Sequence, residues 1–223
     1  MSDVSPLIEG ASIVLAGSMN PGIFHPQWLA RNDLIRVAEA ESAENVVVTP
    51  EFARFEVEWF TVEVLPERLT VLTQSSPFYS SLRDLVFSIV KLLPHTPVDA
   101  IGLNRSAHFG LSSSDVYDKL GHRLAPKDMW REVLDRPGMR RVSIQGERTD
   151  GKLGMVLVSV EPSVQVHNGL FIDVNDHFVR GDATGADFDA WIEDVFTSCW
   201  KTHLSSVHNI QSKILEYAEE SSQ

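Results

Sequence analysis

Between Val46 and Thr73 apolar and polar residues alternate with a period of two, which restricts this stretch to β-structure with one buried face. Phe55, Val57 and Trp59 alternate with Glu56 and Glu58; Phe60, Val62 and Val64 then carry the apolar positions in the opposite phase. The adjacent pair Trp59-Phe60 marks the slip, and a β-bulge there would keep both apolar sets on one face. Val46-Val47-Val48 opens the region, Pro66-Glu67 reads as a turn, and Arg68 to Thr73 returns as a further strand. A helix follows. Ser76 as N-cap and Pro77 at the first helical position precede Phe78, Leu82, Leu85, Val86, Ile89, Leu92 and Leu93 at helical spacing, and Pro94 ends it.

The same order recurs further on. Val98 to Phe109 reads as a strand with Ile101, Leu103, Ala107 and Phe109 on one face and Asn104, Ser106 and His108 on the other. A capping box at Ser112 to Asp115 opens a short helix, and Pro126 to Leu134 reads as another. Arg140–Arg148, Met155–Val160 and Leu170–Val179 are predicted strands, with a hairpin near Asp150-Gly151. A long helix starts near Ala186 and carries Trp191, Ile192, Val195, Cys199, His203 and Val207 along one face. The expectation is one α+β domain over 1–223, built from two successive strand-strand-strand-helix blocks at 46–110 and 140–218. They would form an antiparallel curved sheet with two long helices on one face and short helices between the blocks. Residues 1–10 read as a loose arm and 219–223 as a tail.

Composition narrows the chemistry. Nineteen Lys and Arg against 31 Asp and Glu give a net charge of −12, a surface that repels phosphate backbones, so nucleic acid is not an expected partner. One cysteine, Cys199, cannot form an intrachain disulfide, and the N-terminus has acids where a secretion signal has bases. No apolar run is long enough to span a bilayer. A cytoplasmic protein with no membrane association is expected.

No catalytic motif stands out. The loop Gly17-Ser18-Met19-Asn20-Pro21-Gly22 lacks the lysine and the glycine spacing of a phosphate loop and reads as an ordinary turn. His203 and His208 are five apart, which turns them to different helix faces, and no other cluster has metal-ligand spacing; neither metal nor cofactor is expected. Cys199 lies mid-helix on the apolar stripe, where thiols are usually inert. Asp173 and His177 would point the same way along their strand, so a carboxylate–histidine pair is conceivable. The best polar constellation is Asn104, Ser106 and His108, which would bind a polar ligand if their face lined a cavity.

From Val57 to His108 the chain reads as a strand, then VEVLPERLTVLT, then a helix with an aromatic after proline, then DAIGLNRSAHF. This order resembles a widespread, sporadically distributed bacterial α+β family of about this length whose activity is not established. In that family the arginine-containing strand usually continues with an aromatic, where this chain has Asn104-Arg105-Ser106. The resemblance implies a bacterial origin and an α+β fold, and it carries over no site.

The expected function is a non-catalytic interaction or assembly subunit. The alternatives are a small-ligand-binding protein using a cavity between sheet and helix, or an enzyme with a site assembled from distant residues. A protein partner or a homo-oligomer is expected because the last helix, roughly 45 Å long, could overhang a domain whose radius of gyration is roughly 17 Å. Val207, Ile210, Ile214 and Leu215 would then need cover from another chain.

Overall fold

The computed structural model describes residues 5–220. Alternation along the strands places them in one antiparallel sheet of nine, in the order β2-β3-β4-β5-β1-β6-β9-β8-β7. The strands are β1 (Ile8–Gly17), β2 (Glu44–Val48), β3 (Ala53–Val57), β4 (Phe60–Leu65), β5 (Arg68–Thr73), β6 (Val98–Gly110), β7 (Val142–Glu147), β8 (Gly154–Pro162) and β9 (Gly169–Val179). The helices are α1 (Pro26–Arg31), α2 (Val37–Glu41), α3 (Tyr79–Leu92), α4 (Ser114–Leu124), α5 (Ala186–Asp194) and α6 (Trp200–Glu219). The chain is therefore α+β with a long C-terminal helix.

Three sequence expectations change. The phase slip at Trp59-Phe60 is a hairpin and not a bulge: β3 turns through Glu58-Trp59 into β4, pairing Val57 with Phe60. Facing residues of an antiparallel pair share a side, so a turn explains the apolar neighbours as well as a bulge does. The first block consequently has four strands before its helix. Residues 8–10, expected in a loose arm, belong to β1, where Glu9 pairs with Ala107 and Gly10 with Ser106. The predicted helix at 126–134 reduces to a single 3-10 turn, Met129–Glu132. Residues 1–4 of the arm and 221–223 of the tail lie outside the described residues.

Register assigns each side chain to a face. One row runs Phe55–Val62–Val71–Ile13–Leu103–Asp176–Val156 across the sheet, and the next Thr73–Ala11–Arg105–Val174–Val158–Ile144. This face meets the helices: α3 packs on β1 and β5, and α6 on β6 and β9. Two apolar clusters result. The first joins α1 to α3 and the start of the C-terminal helix to β1, β3, β4 and β5. The second joins α4 and the end of α6 to β6, β8 and β9. The opposite face carries the row Glu56–Thr61–Leu72–Ser12–Asn104–Asn175–Leu157–Gln145, none of which belongs to either cluster.

The C-terminal helix runs from Ala186 to Glu219 without a break at Ser205-Ser206, but Val195–Cys199 forms one π turn within it. The extra residue resets the phase of the apolar stripe, so that Val195, Phe196, Cys199 and Trp200 all reach the first cluster while Val207, Leu215 and Ala218 reach the second. Gly154 shows why the β7–β8 connection needs glycine: its φ is 133°, and a Cβ there would stand 1.9 Å from the His177 carbonyl oxygen.

Candidate functional site

The charged residues of these two rows are Arg105 and Asp176, and they sit where the apolar clusters meet. On α6 the facing residue is His203, between Trp200 of the first cluster and Val207 of the second. His203 Nδ1 lies 3.2 Å from Asp176 Oδ2, and the ring is 1% exposed. Arg148, just beyond β7, donates to Asp176 and holds Asp150 through two further bonds of 2.6 and 3.1 Å. Its guanidinium lies 3.8 Å over the Phe178 ring. Burial lowers the pKa of His203 more than the Asp176 hydrogen bond raises it, so the ring is neutral. Its Nδ1–H donates to the carboxylate, and Nε2 is left as a buried acceptor with no partner among the described residues.

A carboxylate-held imidazole with a bare Nε2 has the makings of a general base. At 1% exposure it is sealed from solvent between two apolar clusters. Its effect is to pin α6 to β9. The neighbouring Cys199 has its thiol pushed up to about 11 by burial and by Asp194, whose Oδ2 is 3.8 Å from Sγ, and Asp194 in turn binds Lys152. That thiol is not a nucleophile at neutral pH. Beside this layer Arg105 binds Glu9 at 3.2 Å and lies 3.9 Å over the Tyr79 ring, and burial pushes the Tyr79 hydroxyl up to about 12. Among the described residues no group of three or more His, Cys, Asp and Glu could hold a metal ion.

The polar residues singled out in the sequence divide. Asn104 and Ser106 stand half-buried on the helix-free face. The Asn104 amide donates to the Ser12 carbonyl at 3.4 Å, and the Asn104 and Asn175 amides both lie over Gly102. Ser106 pairs with Asp173, whose carboxyl pKa is raised by burial against the opposing pull of Arg141. His108 is withdrawn from this group. Its Nδ1 is 2.8 Å from Ser163 Oγ, which caps the turn before β9, and its ring lies 4.7 Å from Phe171. Asp173 and His177 share a face but stand four strand positions, roughly 13 Å, apart; the carboxylate–histidine pair is Asp176–His203 instead.

Of the residues expected at an interface, Val207 and Leu215 are buried in their own chain's second cluster, and Ile210 and Ile214 are half-buried against it. Continuity of α6 along the sheet and its contact with α4 supply the cover expected from another chain for the first two. The exposed apolar side chains lie elsewhere. The 3-10 turn after α4 presents Met129, Trp130, Val133 and Leu134 to solvent, Trp130 at 45% and Val133 at 71%. This turn is held from below: Lys127 Nζ donates to the Gly121 and Ala125 carbonyls at the C-terminus of α4, joining Ala125 N on the Gly121 oxygen. Within the turn Leu134 N donates to the Trp130 carbonyl at 2.8 Å and Val133 N to the same oxygen at 3.1 Å. A helix is expected over 126–134; a single turn forms instead, and it is too short to carry these apolar groups onto the core, so they project outward.

No family model matches the chain, and no curated protein matches it. Among the described residues no helix is long and apolar enough to cross a membrane.

Proposed function

We propose that this protein is a cytoplasmic, non-catalytic interaction or assembly subunit that docks a protein partner on the Met129–Leu134 turn. The observation that carries this reading is the exposure of Met129, Trp130, Val133 and Leu134 on a turn pre-set by Lys127. Large apolar groups exposed together mark contact surfaces, and tryptophan is the residue most enriched among binding hot spots. The turn is already ordered, so docking has little conformational entropy to lose. A net charge of −12 disfavours nucleic acid as the occupant. An apolar groove on another protein fits the turn.

The test is isolation of the native protein from its own cells beside a Trp130→Ala, Val133→Ser variant. A stoichiometric partner held by the native chain and weakened at least tenfold in the variant, as loss of a hot spot implies, is the expected result. Identical recovery with both chains refutes the reading. A small polar ligand on the helix-free face is the second reading, favoured by the Asn104 and Asn175 amides converging over Gly102. Asn175→Leu should then abolish a ligand-induced rise in melting temperature without altering partner recovery.

A further inference from the structure

The sheet has two free edges, β2 and β7, and they differ. An edge strand presents unpaired N–H and C=O groups, which proteins blunt with bulges, charges or irregular backbone. β2 is blunted: Asn45 has φ 52°, and the register on β3 shifts between Glu44 and Val47. β7 is not. It pairs with β8 in unbroken register from Val142 to Glu147, contains neither proline nor lysine, and exposes Ile144 at 64%. Apart from its ladder with β8, no described backbone hydrogen bond reaches β7.

We propose that β7 pairs with β7 of a second copy of this chain, antiparallel and with the two-fold axis at Ile144, joining the two sheets into one. The sequence of the strand carries the register. Centred on Ile144, Arg141 of each copy faces Glu147 of the other, Val142 faces Gly146 and Ser143 faces Gln145. Both ends thus close with opposite charges. Glu147 makes no described ion pair in its own chain, and Arg141 already holds Glu161 at 2.8 Å, so its guanidinium would lie between two carboxylates. Arg140 meets Arg148, whose charge is already matched by Asp150 and Asp176. On the helix-bearing face the two Ile144 side chains meet and extend the apolar row Val174–Val158–Ile144. Moving the axis to Ser143 or Gln145 breaks both charge pairs and sets Ile144 opposite Val142 or Gly146. An axis between residues would turn the helix-bearing face of one copy against the helix-free face of the other, because a shift of one residue reverses every side chain. The pairing is isologous and closes on itself, so a dimer forms and not a filament.

The register is tested by single cysteines. In this pairing only position 144 lies opposite itself, at the Cβ separation of a directly facing pair, about 4.5–5.5 Å, which a disulfide bridges with a small adjustment. Ile144→Cys should give a disulfide-linked dimer under mild oxidation, and Ser143→Cys should not; the buried native Cys199 does not compete. By light scattering at micromolar concentration the native chain should show twice its 24.9 kDa mass. Glu147→Arg should shift the dissociation constant at least tenfold, because it sets like charges opposite each other at both ends. A monomeric native chain overturns the proposal, and so does a dimer that Ile144→Cys fails to cross-link. The Trp130 and Val133 substitutions touch none of these contacts, so failure at the apolar turn and failure at β7 are separate results.

Discussion

At the residue scale, the most consequential feature is a carboxylate in a row otherwise built for apolar contact. Asp176 is tolerated because Arg148 and His203 both donate to it. Removing one member of a buried pair leaves the others uncompensated, so Asp176→Asn should destabilise the fold by about 3 kcal/mol, read from urea unfolding. Burial, the largest cause, lowers the pKa of His203; Arg105 and Arg148 act with it, and among the facing charges only Asp176 opposes. A histidine neutral in the fold but free to protonate when unfolded contributes stability that is complete above the unfolded value, about 6.5. That contribution is lost as pH falls from there toward the folded value. His108, lowered by burial, acts in the same direction. The urea midpoint should therefore drop between pH 7.5 and 5.5, and His203→Gln should make the drop smaller. An equal drop in both proteins would remove His203 from the account. Cys199, buried and with its thiol up to about 11, should resist alkylation at pH 7.5 until the protein is unfolded.

At the scale of elements, the π turn is the device that lets one long helix serve two clusters. Removing one residue there would convert Val195–Cys199 toward α-geometry and rotate α6 by about 100° relative to α5. His203 would then leave Asp176, and Val207 and Leu215 would leave the second cluster. Deletion of Thr197, an exposed residue whose hydroxyl bonds the Glu193 carbonyl at 2.7 Å, should lower the melting temperature far more than Thr197→Ala does. The substitution should stay within about 0.5 kcal/mol of the native chain, as for most surface changes. Comparable losses in the two variants would mean that the phase of the helix is not set by the extra residue.

At the scale of the whole molecule, the sheet is continuous while the helix-side core is divided in two. β1 and β6 lie at the centre of the strand order, each paired on both sides, and join the clusters. Hydrogen exchange should be slowest in β1 and β6 and should quicken outward, with β2 the fastest strand, since protection follows burial and pairing. β7 amides should gain protection as protein concentration rises through the dimer range. Slower exchange in β2 than in β1 would contradict the strand order.

Much of the fold is legible in the chain itself because strand alternation and helical spacing are local. The period-two stretches at 60–65, 68–73 and 98–109 and the apolar stripes of α3 and the C-terminal helix each report which face is buried, with no knowledge of what covers it. The Ser113 cap of α4, which accepts from Val116 N at 3.2 Å, is local in the same way. Pairing is not local. Trp59-Phe60 fits a bulge and a hairpin equally until β3 is laid beside β4, and Asn175 becomes a neighbour of Asn104 only through a register spanning 71 residues of chain. Asp176 gains its partners only when His203 and Arg148 are brought to it from distant segments, and the helix expected at 126–134 shortens to one turn that leaves Met129 and Trp130 in solvent. Most strands and the two long helices, with their apolar faces, follow from the chain alone, since steric and hydrophobic periodicity act between near neighbours. The strand order, the buried charged layer and the apolar groups left in solvent each depend on contacts between residues far apart in the chain, which local periodicity does not encode.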